Sequence, residues 1–211
     1  MKIAILGAGN VGGTLGKAFA SAGHKVFFGV PNPEDEKNKK LIDLIGPNSS
    51  SAGSVSDAVQ FAELVVLATP WNAARTALQS AGNLSDKVVV DCTNPLKEDM
   101  SGLVIGHTSS AAEQIAQWAV GAKVCKAFNQ TGFQNMANPK FNSGNAVIFV
   151  CGDDFSSKKI VLQLAEQIGF ESIDAGPLSV ARLLEPLAML WIHLAYKANM
   201  GTDFAFGILR R

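Results

Sequence analysis

Six residues near the start of the chain, Gly7-Ala8-Gly9-Asn10-Val11-Gly12, have the types and spacing to hold a diphosphate. A short apolar run, Lys2 to Leu6, precedes them. A helically spaced segment, Val11 to Ala22, follows, with Leu15, Ala18 and Phe19 on one face. In such a strand–turn–helix the first glycine permits the tight turn and the second lets the backbone approach the phosphates. The third lets the helix pack close to the sheet. The helix start adds unpaired N–H groups and a partial positive charge. The ligand this arrangement fits is a dinucleotide.

The second strand, Lys25 to Phe28, runs into Gly29-Val30-Pro31-Asn32. A site that selects NAD places Asp or Glu here to hold the ribose hydroxyls. This stretch has no carboxylate, so Val30, Pro31 and Asn32 are read as contacts to NADP(H). Lys37, Lys39 and Lys40 stand close enough to reach a 2′-phosphate, among Glu34, Asp35 and Glu36. Three further segments fall just past the carboxyl ends of expected strands: Thr69-Pro70-Trp71, Asn94-Pro95 and Phe128-Asn129. In an open parallel sheet, ligands lie along that edge. Trp71 and Phe128 are the aromatics expected to flank a planar partner. Asn129, which can donate and accept at once, is the candidate orienting residue.

Other reactive residues have plainer readings. His24 sits in a turn, His107 in a loop before Ser109-Ser110, and His193 among apolar helix residues. Asp153-Asp154 stands where a helix should begin and reads as a cap. Arg182 and Glu185, three apart, are expected to pair along their helix. Cys92, Cys125 and Cys151 lie in or beside apolar runs, with neither disulfide nor zinc spacing. No metal site is expected, and a reducing cytoplasmic setting fits.

The elements that must position these residues alternate. Strands are expected at Glu63 to Ala68, Lys87 to Cys92, Lys123 to Phe128, Ala146 to Cys151 and Glu171 to Asp174. Helices are expected from Ser54, at Trp71 to Ser80, from Ser110 to about Ala119, at Phe155 to Ile168, and from Leu178 to about Asn199. Asn32 to Lys40 reads as a polar loop or a helix start. The pattern implies an α/β fold: a Rossmann-type, doubly wound, mostly parallel sheet. Residues 1–177 form the dinucleotide domain. Residues 178–211 form a C-terminal helical appendage packed on that domain or on a dimer partner. The 211 residues are 47% hydrophobic and carry 18 basic and 18 acidic side chains, so no broad field attracts nucleic acid or a membrane surface. The most apolar long run, Leu183 to Tyr196, is read as too short for a bilayer. Its apolar stripe predicts a symmetric homodimer.

The sequence also resembles the deazaflavin-dependent NADP oxidoreductases, a fold that recurs in the cytosolic domain of the six-transmembrane metalloreductases. The resemblance covers nearly the whole chain. It rests on the glycine motif, Ala68-Thr69-Pro70-Trp71, Asp91-Cys92-Thr93-Asn94-Pro95-Leu96, Ser109-Ser110-Ala111-Ala112-Glu113 and Lys126-Ala127-Phe128-Asn129. It continues through Cys151-Gly152-Asp153-Asp154, Asp174-Ala175-Gly176-Pro177-Leu178-Ser179 and Arg182-Leu183-Leu184-Glu185. It implies that the loops at Thr69, Asn94 and Phe128 line the nicotinamide side, and that hydride passes to a flat acceptor. That acceptor would be an 8-hydroxy-5-deazaflavin coenzyme, a flavin or a quinone-like compound. The family usually carries an Arg where this chain has Pro31, which implies a modest NADP preference with Asn32 and a nearby Lys as substitutes. Archaeal members carry His-Thr where this chain has Asn129-Gln130, the version closer to the metalloreductases. Two other functions share the features: a small-carbonyl or imine reductase, and a nucleotide sensor without catalysis. The first normally needs a longer helical domain and a catalytic Lys, Asp or Tyr, and Tyr196 is the only tyrosine.

Overall fold

Short runs of β-branched and leucine residues form strands that are buried on both faces, as a parallel sheet covered by helices requires. The computed structural model describes residues 1–211. In chain order the elements are β1 (Lys2–Leu6), α1 (Asn10–Ser21), β2 (Lys25–Gly29), α2 (Glu36–Ile45), β3 (Ser50–Gly53), α3 (Val55–Phe61), β4 (Leu64–Leu67) and α4 (Trp71–Ser80). There follow β5 (Val88–Asp91), α5 (Ala111–Trp118), β6 (Lys123–Lys126), α6 (Phe133–Ala137), β7 (Lys140–Phe141), β8 (Gly144–Asn145) and β9 (Val147–Gly152). The chain closes with α7 (Phe155–Gln167), β10 (Glu171–Gly176) and α8 (Ala181–Ile192). A 3-10 turn, Leu178–Val180, leads into α8, and a wider helical turn, His193–Lys197, leads out.

Eight strands form one sheet in the order β10-β9-β6-β5-β4-β1-β2-β3, and β7 and β8 form a separate hairpin. All neighbours in the large sheet are parallel except β6 and β9. The order reverses between β1 and β4, so the chain crosses there from one face to the other and leaves a crevice at the carboxyl ends. Alternation along the strands builds two cores. Ile3, Ile5, Val66 and Val90 pack with Leu15 and Phe19 of α1 and with Val161 and Leu164 of α7. Ala4, Leu6, Val65 and Val89 pack with α3, α4, α5 and Leu184 of α8.

Three local signals act as the sequence suggests. The Ser54 hydroxyl accepts from Asp57 N, and Ser110 from Glu113 N, while Asp154 Oδ1 accepts from Ser157 N at 2.7 Å. Other elements are announced less clearly. Strand β3 is Ser-Ser-Ala-Gly, held at the sheet edge by register with β2. The stretch read as a loop or helix start becomes α2, and α6 and the β7–β8 hairpin are additions. The strand expected through Phe128 ends at Lys126, because Phe128 turns into the left-handed region at φ 58°.

The C-terminal segment is woven into the domain. The Phe204 carbonyl accepts from Trp191 Nε1 and from Asn135 Nδ2, and the Phe206 carbonyl accepts from Val147 N. The continuous helical stretch Leu178–Lys197 corrects one expectation, since its 20 residues are long and apolar enough to cross a bilayer by length and composition alone. In this structure Ala181, Leu184, Glu185, Ala188 and Trp191 of that stretch are buried against the domain.

Candidate functional site

Helix α1 begins from Gly9 with no side-chain cap and no acidic residue in its first turn. Its first N–H groups therefore face outward, unlike those of α3, α5 and α7. Gly7 holds φ at 104°, and a Cβ on it would lie 2.8 Å from the Ala68 carbonyl oxygen. A Cβ on Gly12 would lie 2.1 Å from the Gly7 carbonyl oxygen. These two glycines are demanded by the protein's own packing. Gly9 is different: a Cβ there would meet no protein atom within 4 Å. The free space above it, at the end of a helix, is a cradle for an anion.

Two cavities open from this loop. One, of about 710 Å³, runs between α1 and α2 and is lined by Gly7, Ala8, Gly9, Asn10, Val30, Pro31 and Asn32, with Lys17, Lys37 and Lys40. The other, of about 430 Å³, shares Gly7, Val30 and Pro31 and extends past Thr69 to Ser54, Val55, Ala73, Thr76 and Ala77. A groove with a basic, polar arm and a small-residue arm on either side of a phosphate cradle fits the adenosine half of NADP(H). On the wall of the second cavity the Thr69 hydroxyl is buried and has no hydrogen-bond partner. Val11 packs on the core behind this loop, and neither Val11 nor Gly12 lines the two cavities.

The lysines proposed for the 2′-phosphate are paired with the neighbouring acids. Lys39 meets Glu34 at 2.8 Å, Lys40 meets Glu36 at 2.7 Å, and Lys37 lies 3.8 Å from Asp35. All six side chains are solvated, and such pairs are weak enough to exchange for a phosphate. The Lys39 ammonium holds Glu34 below the usual carboxylate range.

At the other end the expectations need correction. Phe128 is buried in the first core, edge-on to Phe19 and Phe170, so its ring does not flank a ligand. Trp71, the first residue of α4 after Pro70, stacks on Trp118 with centroids 5.2 Å apart. Asn129 is also buried. Its Nδ2 donates to Asn94 Oδ1 at 3.0 Å and to the Leu184 carbonyl, and its Oδ1 accepts from Gln130 Nε2. Both Nδ2 hydrogens are taken and Oδ1 already accepts once, so what the structure shows this side chain doing is holding Asn94 in place. Asn94 Nδ2 in turn donates to the Asn129 carbonyl. Gln130 uses its amide as a strand would, donating to the Phe149 carbonyl and accepting from Phe149 N. Pro95 is buried, and its carbonyl accepts from Val104 N across the following loop.

Beneath these loops lies a cluster that sequence reading misses. Lys126 Nζ lies 2.7 Å from Asp91 Oδ2 and 2.9 Å from Glu185 Oε1, and it donates to the Thr93 carbonyl. Glu185 also accepts from Ala111 N and Ala112 N at the start of α5. The expected Arg182–Glu185 pair is therefore corrected: Arg182 reaches Glu113 instead, at 2.6 Å. Burial alone would lower the Lys126 pKa, but Asp91 and Glu185 hold it above the ordinary lysine value. Burial raises Glu185, against the pull of Lys126 and of the Ala111 amide. The signal was present in the sequence, since Asp91 and Lys126 each end an apolar strand and are direct cross-strand neighbours.

The histidines and cysteines carry no chemistry in this arrangement. His24 Nε2 bonds Gln167 Oε1 at 2.8 Å and its Nδ1 meets the N-terminal amine, while His107 and His193 are exposed. The three cysteines are buried free thiols, and burial pushes Cys125 and Cys151 up to about 12.

Comparison with known proteins gives a consistent picture. The sequence model of a family described as NADP oxidoreductase, coenzyme F420-dependent, matches residues 2–95. The F420-dependent NADP reductase of Methanocaldococcus jannaschii is 30% identical, over 93% of each chain. Metalloreductase STEAP3 of Rattus norvegicus is 29% identical over 90% of this chain, which spans only 37% of that protein. A structure assigned as an F420-dependent NADP reductase from Arthrobacter sp. FB24 superposes with a TM-score of 0.90 at 33% identity, covering all of both chains. An imine reductase from Streptomyces aurantiacus shares the fold, with a TM-score of 0.68 at 16% identity, and 64% of its length is covered.

Proposed function

The chain belongs to the coenzyme F420-dependent NADP oxidoreductase family, and from that premise we propose that it passes hydride between NADP(H) and a flat acceptor of the deazaflavin, flavin or quinone class. It is an NADP-dependent oxidoreductase by family. The observation that carries the reading is the free space at Gly9 on the uncapped start of α1. The nicotinamide, when bound, supplies the hydride chemistry. The protein supplies position. Asn10, Val11 and Gly12 offer N–H groups to the diphosphate. Thr69 offers a hydroxyl lacking a partner. The Asn94–Asn129 pair fixes the backbone at the ring end. Transfer between two flat rings requires no general acid or base. An acceptor that stacks in register is what such a site must select, since reacting carbons must approach to about 3–3.5 Å.

The test is anaerobic NADPH oxidation with an 8-hydroxy-5-deazaflavin, FMN and a soluble quinone. Enzyme-dependent loss of NADPH with at least one of them is expected. NADPH binding without turnover on any, but with turnover on a cyclic imine, would favour the imine-reductase reading.

Assembly as a homodimer belongs to the same proposal. Leu183 is 69% exposed and Leu190 48%, with Leu187 and Leu194 half-buried between and beyond them, so α8 presents an apolar stripe. A two-fold partner would cover it. Light scattering at micromolar concentration is expected to give twice the chain mass, and a monomer would remove the idea. A cytosolic setting is part of the reading too, supported by the three free thiols.

A further inference from the structure

The cluster of Asp91, Lys126 and Glu185 is more than a clamp. Its three side chains are at most 1% exposed. With both acids ionised, against the burial that raises Glu185, it holds two carboxylates and one ammonium and carries one net negative charge. Every contact to the carboxylates comes from a donor: Lys126 Nζ, and the amides of Thr93, Ala111 and Ala112. An ionised carboxylate is the form that accepts without donating. Arg182 is paired with Glu113 and Lys158 with Asp174, while Asp153, which accepts from Leu178 N, has no cationic partner and adds to the negative side. The start of α5 offsets part of the charge, but a helix end is worth only about half a unit. Solvent screens a buried charge poorly.

The cluster also sits directly beneath the loop that carries Asn94. Lys126 grips the Thr93 carbonyl, one residue before Asn94. On the reading given above, Asn94 lines the nicotinamide side. The oxidised ring carries a positive charge and the reduced ring none, while the rest of the cofactor is the same. The difference in affinity between the two forms therefore reports the potential at the ring.

We propose that the net negative charge of the Asp91–Lys126–Glu185 cluster makes this site bind NADP+ more tightly than NADPH. The cluster thereby favours the state in which hydride has been given up. Asp91 and Glu185 act here as electrostatic positioning residues, without touching the reacting atoms.

The experiment is calorimetric titration of NADP+ and NADPH, at mildly alkaline pH, into the wild type, Asp91→Asn and Glu185→Gln. Circular dichroism checks that each variant is folded. The wild type is expected to favour NADP+. Each neutralising variant is expected to lower the NADP+ to NADPH affinity ratio at least about threefold, in the same direction. A purely structural role would weaken both forms alike. An unchanged ratio in folded variants overturns the proposal, and so does a wild type that binds NADPH the more tightly, which needs no variant to be informative. Failure of the wild type to bind either form would instead overturn the cofactor reading on which this inference rests.

Discussion

At the phosphate end of the groove, Gly7, Gly9 and Gly12 act through the side chains they lack. At the end that the proposal gives to the nicotinamide ring, Asp91, Lys126, Glu185, Asn94 and Asn129 act through side chains that meet from three separate segments. The first end is built from six consecutive residues and faces solvent. The second is assembled from β5, β6, their following loops and α8, and its charges are buried. The two ends should therefore fail in different ways. Damage at Gly9 should cost binding and spare the fold, and damage to the second end should cost the fold.

The largest effect is expected from Lys126→Met. It leaves Asp91 and Glu185 as uncompensated buried charges, which typically costs about 3–5 kcal/mol. Urea unfolding measures this, and a loss under about 1 kcal/mol would show that the cluster does not hold the ring end together. Next comes Gly9→Val at the opposite end. Its side chain enters free space, so thermal stability should be unchanged while NADPH affinity falls at least about a hundredfold, or roughly 2.7 kcal/mol. Gly12→Ala sharpens the contrast, because its Cβ would strike the Gly7 carbonyl and should cost stability as well.

Asn129→Ala tests the ring end more gently. It strips a partner from Asn94, from Gln130 and from the Leu184 carbonyl. An unmet buried polar group costs about 1–3 kcal/mol, readable as a lowered urea midpoint. Equal stability would mean that the amide network is not what fixes the loops. The smallest effect is at Pro31, which lines both arms of the groove. Pro31→Arg should tighten NADPH about tenfold, or roughly 1.4 kcal/mol, and leave NADH nearly unchanged. Equal tightening of both would place the 2′-phosphate elsewhere.

How much of this is legible in sequence follows from the same contrast. A glycine spacing encodes a backbone shape within one segment, so the strand–turn–helix around Gly7 to Gly12 is readable from the residues alone, and Val30 and Pro31 line the same cavity as Gly7 and Gly9. The strands and caps are local in the same sense. The ring end is written in pairings across 35 to 74 residues, as between Asp91 and Lys126 or Glu185 and Ala111. Nothing local distinguishes Asn129 as an engaged amide from Asn129 as a free one. Phe128 shows the limit most clearly. The pattern places it at a strand end, but its left-handed backbone turns the ring into the core. Glu185 has an obvious partner three residues away and takes a distant one. Strand β3 is hidden for a different reason, since Ser-Ser-Ala-Gly carries no apolar period to detect, and α2 shows one only in its second half, where Leu41, Ile42 and Ile45 pack on the first core.

The most direct measurement of the central claim is a crystal structure of the chain grown with NADPH. The account predicts the diphosphate above Gly9 on the amides that open α1. It places the adenosine in the cavity between Val30 and Ala77, and the nicotinamide beside Thr69 and Asn94. A cofactor bound away from Gly9, or one whose nicotinamide points out past α2, would contradict it.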